Sequence, residues 1–135
     1  MSNARQNLGV VVAWLDAMRR GDLAAVEEVL EPDVTWRGLP AGAVSRDRED
    51  VLDMLRADEL HEGLRSTDAM ELVAGDGTVV LGVRSPELTD IGDVPLEGQL
   101  FNVFAVRNGR IACIQDYARR GDALAAADAQ APAWT

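Results

Sequence analysis

The stretch GQLFNVFAVRNGRIACIQDYARR, residues 98–120, decides the architecture that the sequence predicts. It contains two apolar runs on either side of Asn108-Gly109, the dipeptide that most strongly favours a two-residue β-hairpin turn. Such a turn pairs Arg107 with Arg110, and counting outward from that pair brings Phe101 opposite Asp116. The sequence therefore predicts a hairpin whose second strand ends in a carboxylate.

The alternation of side chains along this hairpin predicts one apolar face and one mixed face. In a regular register the first face carries Phe101, Val103, Ala105, Ala112, Ile114 and Asp116. The second face then carries Leu100, Asn102, Phe104, Cys113, Gln115 and Tyr117. The first face is typical of a ligand cavity with a single polar group, and the second suits a subunit interface. A one-residue bulge in the hairpin would exchange the two faces.

Helices precede the sheet in the predicted order of elements. Apolar side chains recur at helical spacing on both sides of Gly21-Asp22, so residues 7–30 are predicted to form a helical hairpin. Residues 45–60 are predicted to form a third helix. The order of helices and strands indicates a single α+β domain over residues 1–135, with a frayed tail at 125–135.

A second hairpin is predicted around Asp76-Gly77. Its two-residue turn pairs Val73 with Val80 and Glu71 with Gly82. Because side chains alternate, Arg84 is then expected on the same face of the sheet as Glu71.

Composition and charge exclude several classes of function. The net charge of −10 argues against sequence-independent binding to nucleic acid or to an anionic membrane surface. A single cysteine, Cys113, and a single histidine, His61, leave neither a disulfide framework nor a His/Cys metal cluster. The chain has no apolar run long enough to span a bilayer, and its first residues do not resemble a signal peptide. We therefore expect a cytoplasmic protein without a metal or an organic cofactor.

Three pieces of the chain, in this order and spacing, resemble the nuclear transport factor 2-like superfold and, within it, the polyketide-cyclase-like (SnoaL-like) domains. They are AWLDAMRRGDLAAVEEVLEPDVTW at 13–36, the hairpin quoted above, and RGDAL at 120–124. The resemblance extends from about Leu8 to Leu124. It implies a cone-shaped, cystatin-like domain in which three N-terminal helices pack on a strongly curved antiparallel sheet around an apolar cavity. It also implies a homodimer formed through the outer face of the sheet.

The resemblance also implies roles for particular residues. Cyclases and epoxide hydrolases of this superfold use an aspartate on the last strand as an acid/base, and Asp116 matches that place. The hydrolases add an arginine on a middle strand, which Arg84 resembles, and a second aspartate two residues later, where this chain has Pro86. They also use a tyrosine and an asparagine on the first strand, where this chain has Trp36 and Gly38. The set that holds the hydrolytic water is therefore incomplete.

Each candidate catalytic residue also has a purely structural interpretation. Asp116 as a general base needs a raised pKa, which burial in an apolar cavity provides, but it could instead form a salt bridge with Arg119 or Arg120. Arg84 could hold a developing oxyanion, or it could be the ion-pair partner of Glu71.

The other pocket candidates are mostly apolar and favour a flat, hydrophobic ligand. His61 lies in the acidic run DELHEG and is interpreted as a surface residue. The residues predicted to line the pocket are Trp14, Met18, Trp36, Met54, Glu71, Phe101, Val103 and Ile114.

These observations predict a small-molecule-pocket protein. The first hypothesis is a cofactor-independent enzyme of isomerase, cyclase or hydrolase type that acts on a small hydrophobic carbonyl or polyketide-like compound. In it Asp116 moves a proton and Arg84 holds the oxyanion. The alternatives are a binding protein for a small apolar ligand and a dimeric accessory interaction domain.

Overall fold

The computed structural model describes residues 4–39, 42–57, 69–86, 88–91 and 93–131. Within these residues, none of the helices has the length and apolar character needed to cross a membrane. The helices are α1 (Ala4–Arg20), α2 (Leu23–Glu28), α3 (Arg48–Ala57) and α4 (Arg120–Ala126). The strands are β1 (Leu30–Arg37), β2 (Val44–Ser45), β3 (Ala69–Ala74), β4 (Thr78–Arg84), β5 (Asp90–Ile91), β6 (Val94–Pro95), β7 (Gln99–Arg107) and β8 (Arg110–Tyr117).

The predicted helical hairpin is confirmed, with a shorter second helix. Gly21 takes a positive φ of 66° at the end of α1, and the Asp22 carboxylate then caps α2 by accepting from the backbone N–H of Ala25 at 3.2 Å. The sequence predicted helix as far as Leu30, but α2 ends at Glu28. The reason is tertiary: the carbonyl of Val29 accepts a hydrogen bond from the Ile111 N–H at 2.8 Å, which starts the pairing of β1 with β8.

One curved sheet of six strands forms the framework, in the order β2-β1-β8-β7-β4-β3. Its strands pair antiparallel except for β1 and β8, which run parallel. This parallel pair places the first strand of the chain directly beside the last one. The α+β class is confirmed, and the sheet predicted to be antiparallel is mixed at this one pair.

Both predicted hairpin turns are confirmed. Val73 pairs with Val80 and Glu71 with Gly82, as expected from Asp76-Gly77. The β7–β8 hairpin closes with Arg107 opposite Arg110. In its turn Asn108 and Gly109 have φ of 57° and 75°, the left-handed conformation that such a turn requires.

The register predicted for the rest of the β7–β8 hairpin is wrong because of a bulge. Val106 pairs with Ile111, but Ala105 pairs with Cys113, so Ala112 is an extra residue in β8. Beyond the bulge Asn102 lies opposite Asp116 and Phe101 opposite Tyr117. The extra residue lets Ile111 and Ile114 both point into the core, where each has no exposed surface.

Apolar side chains cover both faces of the sheet. The helix-facing side, which we call the inner face, packs against α1, α2 and α3 in the main core. The opposite, outer face carries a smaller cluster beneath α4, formed by Val80, Phe101, Val103, Ala123 and Ala127. Helix α4 therefore covers part of the face that the resemblance assigned to a dimer contact.

Ala127, within the predicted frayed tail, packs on the outer face of the sheet. Ala127 is 1% exposed, and its carbonyl accepts a hydrogen bond from the Thr78 hydroxyl at 2.7 Å. Gly75 lies so close to this carbonyl that a Cβ atom could not be accommodated there. The alanine-rich composition thus reflects close packing of the helix end on the sheet.

Candidate active site

Asp116 lies near the end of β8 and points to the inner face of the sheet. Its Oδ1 atom accepts two hydrogen bonds, from Trp36 Nε1 at 2.9 Å and from Asn102 Nδ2 at 2.6 Å. Trp36 reaches it from β1 and Asn102 from β7, the two strands that flank β8. Neighbouring strands on both sides therefore fix the orientation of the carboxylate.

The pKa of Asp116 is set mainly by burial of its carboxylate. None of the ion pairs formed by the described residues includes this carboxylate. Desolvation raises the pKa of Asp116 from 3.8 to about 6, and the hydrogen bonds from Trp36 and Asn102 hold the pKa from rising further. A group with this pKa is mostly ionised at neutral pH and can still accept a proton, as a general base must.

The second oxygen of Asp116 is left for other contacts. Both hydrogen bonds that the described residues donate to this carboxylate end on Oδ1. Beside Oδ2 lies Gly38, where an added Cβ would be 3.8 Å from the oxygen and 3.1 Å from the Cβ of Ala43. The absence of a side chain at Gly38 lets the chain approach Ala43 closely, whereas a Cβ there would make only an ordinary contact with the carboxylate.

Three aromatic rings form the apolar wall next to this carboxylate. Trp14, from α1, packs edge to face on Trp36, with ring centroids 6.0 Å apart, and on Phe104, at 4.9 Å. Phe104 lies opposite Ile114 in the β7–β8 pair, and Trp36 lies beside Ile114 in the β1–β8 pair. The predicted pocket residues Trp14, Trp36 and Ile114 are thus brought together around Asp116.

A cleft of about 240 Å³ opens between α1, the α1–α2 turn and α3. Its lining is apolar apart from the guanidinium of Arg56 and consists of Met18, Gly21, Leu23, Leu55 and Arg56. Met18 follows Trp14 by one helical turn, so this cleft and the aromatic wall lie along the same side of α1. Met54, also a predicted pocket residue, lies half-buried on α3, where its sulfur is 3.8 Å from the Ser45 hydroxyl.

Four predicted site residues lie on the opposite face of the sheet from Asp116. The bulge at Ala112 places Phe101 and Val103 on the outer face, where they pack beneath α4. Glu71 and Arg84 share a face with Gly82, as predicted, but Gly82 is paired with Phe101, so this is also the outer face. The structure therefore does not bring Arg84, Glu71, Phe101 or Val103 to the carboxylate of Asp116.

The arginines that follow β8 do not form the predicted alternative salt bridge with Asp116. Arg120 instead binds both carboxylate oxygens of Glu71, at 2.7 and 3.0 Å. The structural interpretation of Arg84, as the partner of Glu71, is likewise replaced by this pair. His61 lies outside the described residues.

Sequence reasoning missed Asn102 and Phe104 as site residues because the regular register placed them on the other face. One signal was available in the spacing of Ile111 and Ile114. Two large apolar residues three positions apart face opposite sides of a regular strand, so burial of both in the same core needs a bulge between them. Among the described residues, no group of three or more His, Cys, Asp or Glu is placed to bind a metal ion.

Sequence comparison identifies the family. The sequence pattern of the SnoaL-like domain matches residues 11–114, most of the chain. The chain belongs to the SnoaL-like domain family. This confirms the resemblance, including its relation to the nuclear transport factor 2-like superfold. A search of curated proteins finds no match.

Solved structures with the same fold include several proteins named for different activities. A candidate ketosteroid isomerase from Kribbella flavida is 16% identical, with a TM-score of 0.65, and the match covers 86% of this chain and 79% of that one. An LEH-like epoxide hydrolase from M. tuberculosis is 18% identical, with a TM-score of 0.61 and coverage of 93% and 92%. A candidate polyketide cyclase from Sinorhizobium meliloti is 19% identical, with a TM-score of 0.56 and coverage of 81% and 94%. At these identities the likeness establishes the fold alone.

Proposed function

We propose that this protein is an enzyme that moves a proton on a small hydrophobic carbonyl compound, with Asp116 as the acid/base. The observation that carries this proposal is the environment of the carboxylate. It is desolvated, it forms no ion pair with a described residue, and the neutral donors in that part of the chain bind only one of its oxygens. A carboxylate kept only for stability would be expected to have a cationic partner or to lie in water.

In the proposed reaction Oδ2 of Asp116 removes a proton from the carbon next to the carbonyl. The hydrogen bonds from Trp36 and Asn102 keep Oδ1 in place while the proton moves. Burial raises the basicity of the carboxylate, because the neutral acid formed by proton uptake no longer suffers desolvation of its charge. Return of the proton to the same or another carbon completes an exchange or an isomerisation, respectively.

Membership of this family supports a proton-transfer reaction but does not indicate which one. Proteins with this fold are named as a polyketide cyclase, a ketosteroid isomerase and an epoxide hydrolase. Proton transfer to or from a carbon or an oxygen is common to these three reactions. Epoxide hydrolysis has the least support, because Trp36, Gly38 and Pro86 stand where the hydrolases of this superfold hold their water.

Exchange of carbon-bound protons in D₂O tests this proposal before the natural substrate is known. Cyclohexanone, 1-tetralone and 2-decalone are incubated with the protein, and loss of the signal of the protons next to the carbonyl is followed by ¹H NMR. We expect the protein to accelerate exchange with at least one ketone, with a rate that rises with pH to a plateau above about 6, where Asp116 is ionised. We expect Asp116→Asn to lower kcat/KM at least about 100-fold, since positioned general bases contribute roughly 10²–10⁴-fold.

Glu71→Gln is the matched control, because it removes a carboxylate from the same sheet but from the outer face. Its exchange rate should stay close to that of the parent. The proposal fails if no ketone exchanges faster than in buffer, or if Asp116→Asn exchanges as fast as the parent. Equal ketone binding by the parent and Asp116→Asn, without any exchange, would instead identify a binding protein.

A further inference from the structure

Trp14 has a buried hydrogen-bond donor that the fold does not use. The residue is 2% exposed, and among the described residues its Nε1–H finds no hydrogen-bond acceptor. Buried indole N–H groups usually have a partner, and buried donors without one are uncommon in folded proteins. This donor therefore requires an explanation.

The surroundings of Trp14 connect this donor with the candidate active site. Its ring packs edge to face on Trp36, whose own N–H is engaged by Asp116. On another side it packs on Phe104, which shares the inner face of β7 with Asn102. The unused donor thus belongs to the aromatic wall beside the buried carboxylate of Asp116.

We propose that the Nε1–H of Trp14 donates a hydrogen bond to the carbonyl oxygen of the ligand, which makes the ligand class a hydrophobic ketone or related carbonyl compound. This inference rests on the proposed function, because it names the substrate class of the same site. Aromatic rings on two sides provide the apolar contact, and the single donor selects for an oxygen over a hydrocarbon of the same shape.

The proton transfer gives this hydrogen bond a second role. When Asp116 takes the proton from the carbon next to the carbonyl, the electron pair of the C–H bond forms a C=C bond and the carbonyl electrons move to the oxygen. The Trp14 N–H then donates to an enolate oxygen that carries more negative charge than the original carbonyl, which strengthens the bond in the transition state. Return of the proton from Asp116 to carbon restores the carbonyl, and no other reactant is needed. Trp14 thereby takes the role that the sequence assigned to Arg84.

A pair of ligands with one skeleton tests the hydrogen bond apart from the shape of the site. Dissociation constants for 1-tetralone, which has a ketone oxygen, and tetralin, which has none, are measured on the parent and on Trp14→Phe. We expect the ratio of the two constants to shift against the ketone by about 5- to 30-fold in Trp14→Phe, as for loss of one buried hydrogen bond. An equal loss for both ligands would show that Trp14 acts by packing alone and would overturn the inference.

A change that keeps the bicyclic ring guards against misfolding of Trp14→Phe. Benzothienylalanine installed at position 14 replaces the N–H by sulfur, and it should show the same shift in the ligand ratio. On the parent protein, the indole N–H resonance of Trp14, assigned among the three tryptophans by Trp14→Phe and Trp36→Phe, should move downfield with 1-tetralone and not with tetralin.

The inference is overturned if neither 1-tetralone nor the other ketones move the Trp14 resonance, or if the sulfur analogue keeps the parent's ligand ratio. That second result would mean that the N–H points at the face of Trp36 or Phe104, a weaker interaction that needs no ligand. These readouts measure binding. A protein that passes them but shows no proton exchange contradicts the proposed enzyme and keeps the ligand class.

Discussion

The two faces of the sheet each hold a partly buried carboxylate, but they surround it in opposite ways. On the outer face Glu71 is bound through both oxygens by Arg120, and the two side chains are 15% and 19% exposed. On the inner face Asp116 accepts hydrogen bonds from two neutral donors through one oxygen only. One charge is matched by an opposite charge, and the other is not.

This difference separates a structural carboxylate from a functional candidate. The Glu71–Arg120 pair joins β3 to the first residue of α4, and the Glu71 carboxylate raises the pKa of Arg120 through its hydrogen bonds. Asp116 joins β1, β8 and β7, but an amide could accept the same two hydrogen bonds without the cost of a desolvated charge. A charged residue that lowers stability, where a neutral residue could accept the same hydrogen bonds, is typical of a functional site.

Truncation of Ile114, which the bulge turns to the inner face, should have the largest effect. Ile114 lies opposite Phe104 in β7 and beside Trp36 in β1, and Ile114→Ala would leave a cavity between them. Ile114 has no exposed surface in a central strand, so we expect Ile114→Ala to lower the free energy of unfolding by about 4 kcal/mol. Urea unfolding followed by circular dichroism measures this loss.

Cys113→Ala is the control for that truncation, because Cys113 is the neighbouring residue of β8, lies on the outer face opposite Ala105 and is half-buried. It should cost only about 1 kcal/mol or less, because it removes a single sulfur atom from a partly exposed side chain. An Ile114→Ala variant as stable as the parent would show that the bulge does not turn Ile114 into the core.

The bulge also marks the boundary between what could and could not be predicted. Local signals were sufficient for the turn at Asn108-Gly109 and for the capping of α2 by Asp22, since turns and caps depend on residues close in sequence. The site depends on contacts between distant residues. Trp36 and Asp116 are 80 positions apart and meet because β1 and β8 pair in parallel, and a parallel pairing leaves no turn dipeptide in the sequence.

Neutralising each carboxylate should sharpen the comparison, because the two changes are expected to shift stability in opposite directions. At pH 8, Asp116→Asn should raise the free energy of unfolding by up to about 3 kcal/mol, since each unit of raised pKa corresponds to about 1.4 kcal/mol. Glu71→Gln should lower it by about 1–3 kcal/mol, because it weakens the bonds to a partly buried guanidinium. Urea unfolding of both variants and the parent gives the two differences.

The pH dependence of this difference distinguishes a raised pKa from better packing of the amide. The pKa of Asp116 is higher in the folded protein, so between about 4 and 6 the folded state retains a proton that the unfolded state has lost. The parent should therefore lose stability relative to Asp116→Asn as pH rises through this window, with no further change above it. If the free energies of unfolding of the parent and Asp116→Asn differ by the same amount at pH 3.5 and pH 8, the pKa of Asp116 is not raised.

The smallest expected effect tests the two neutral donors themselves. Trp36→Phe and Asn102→Leu each remove one hydrogen bond to the ionised carboxylate, and both bonds lower the pKa of Asp116. Each change should raise the midpoint of the Asp116 carboxyl titration, followed by ¹³C NMR, by about one unit above the parent value of about 6. Gln115→Leu, one residue away but on the outer face, should leave the midpoint unchanged. If the midpoints of Trp36→Phe and Asn102→Leu stay at the parent value, these donors do not hold the ionised form of Asp116. A shift confined to these two variants would establish that side chains from β1 and β7 lower the pKa of Asp116 on β8.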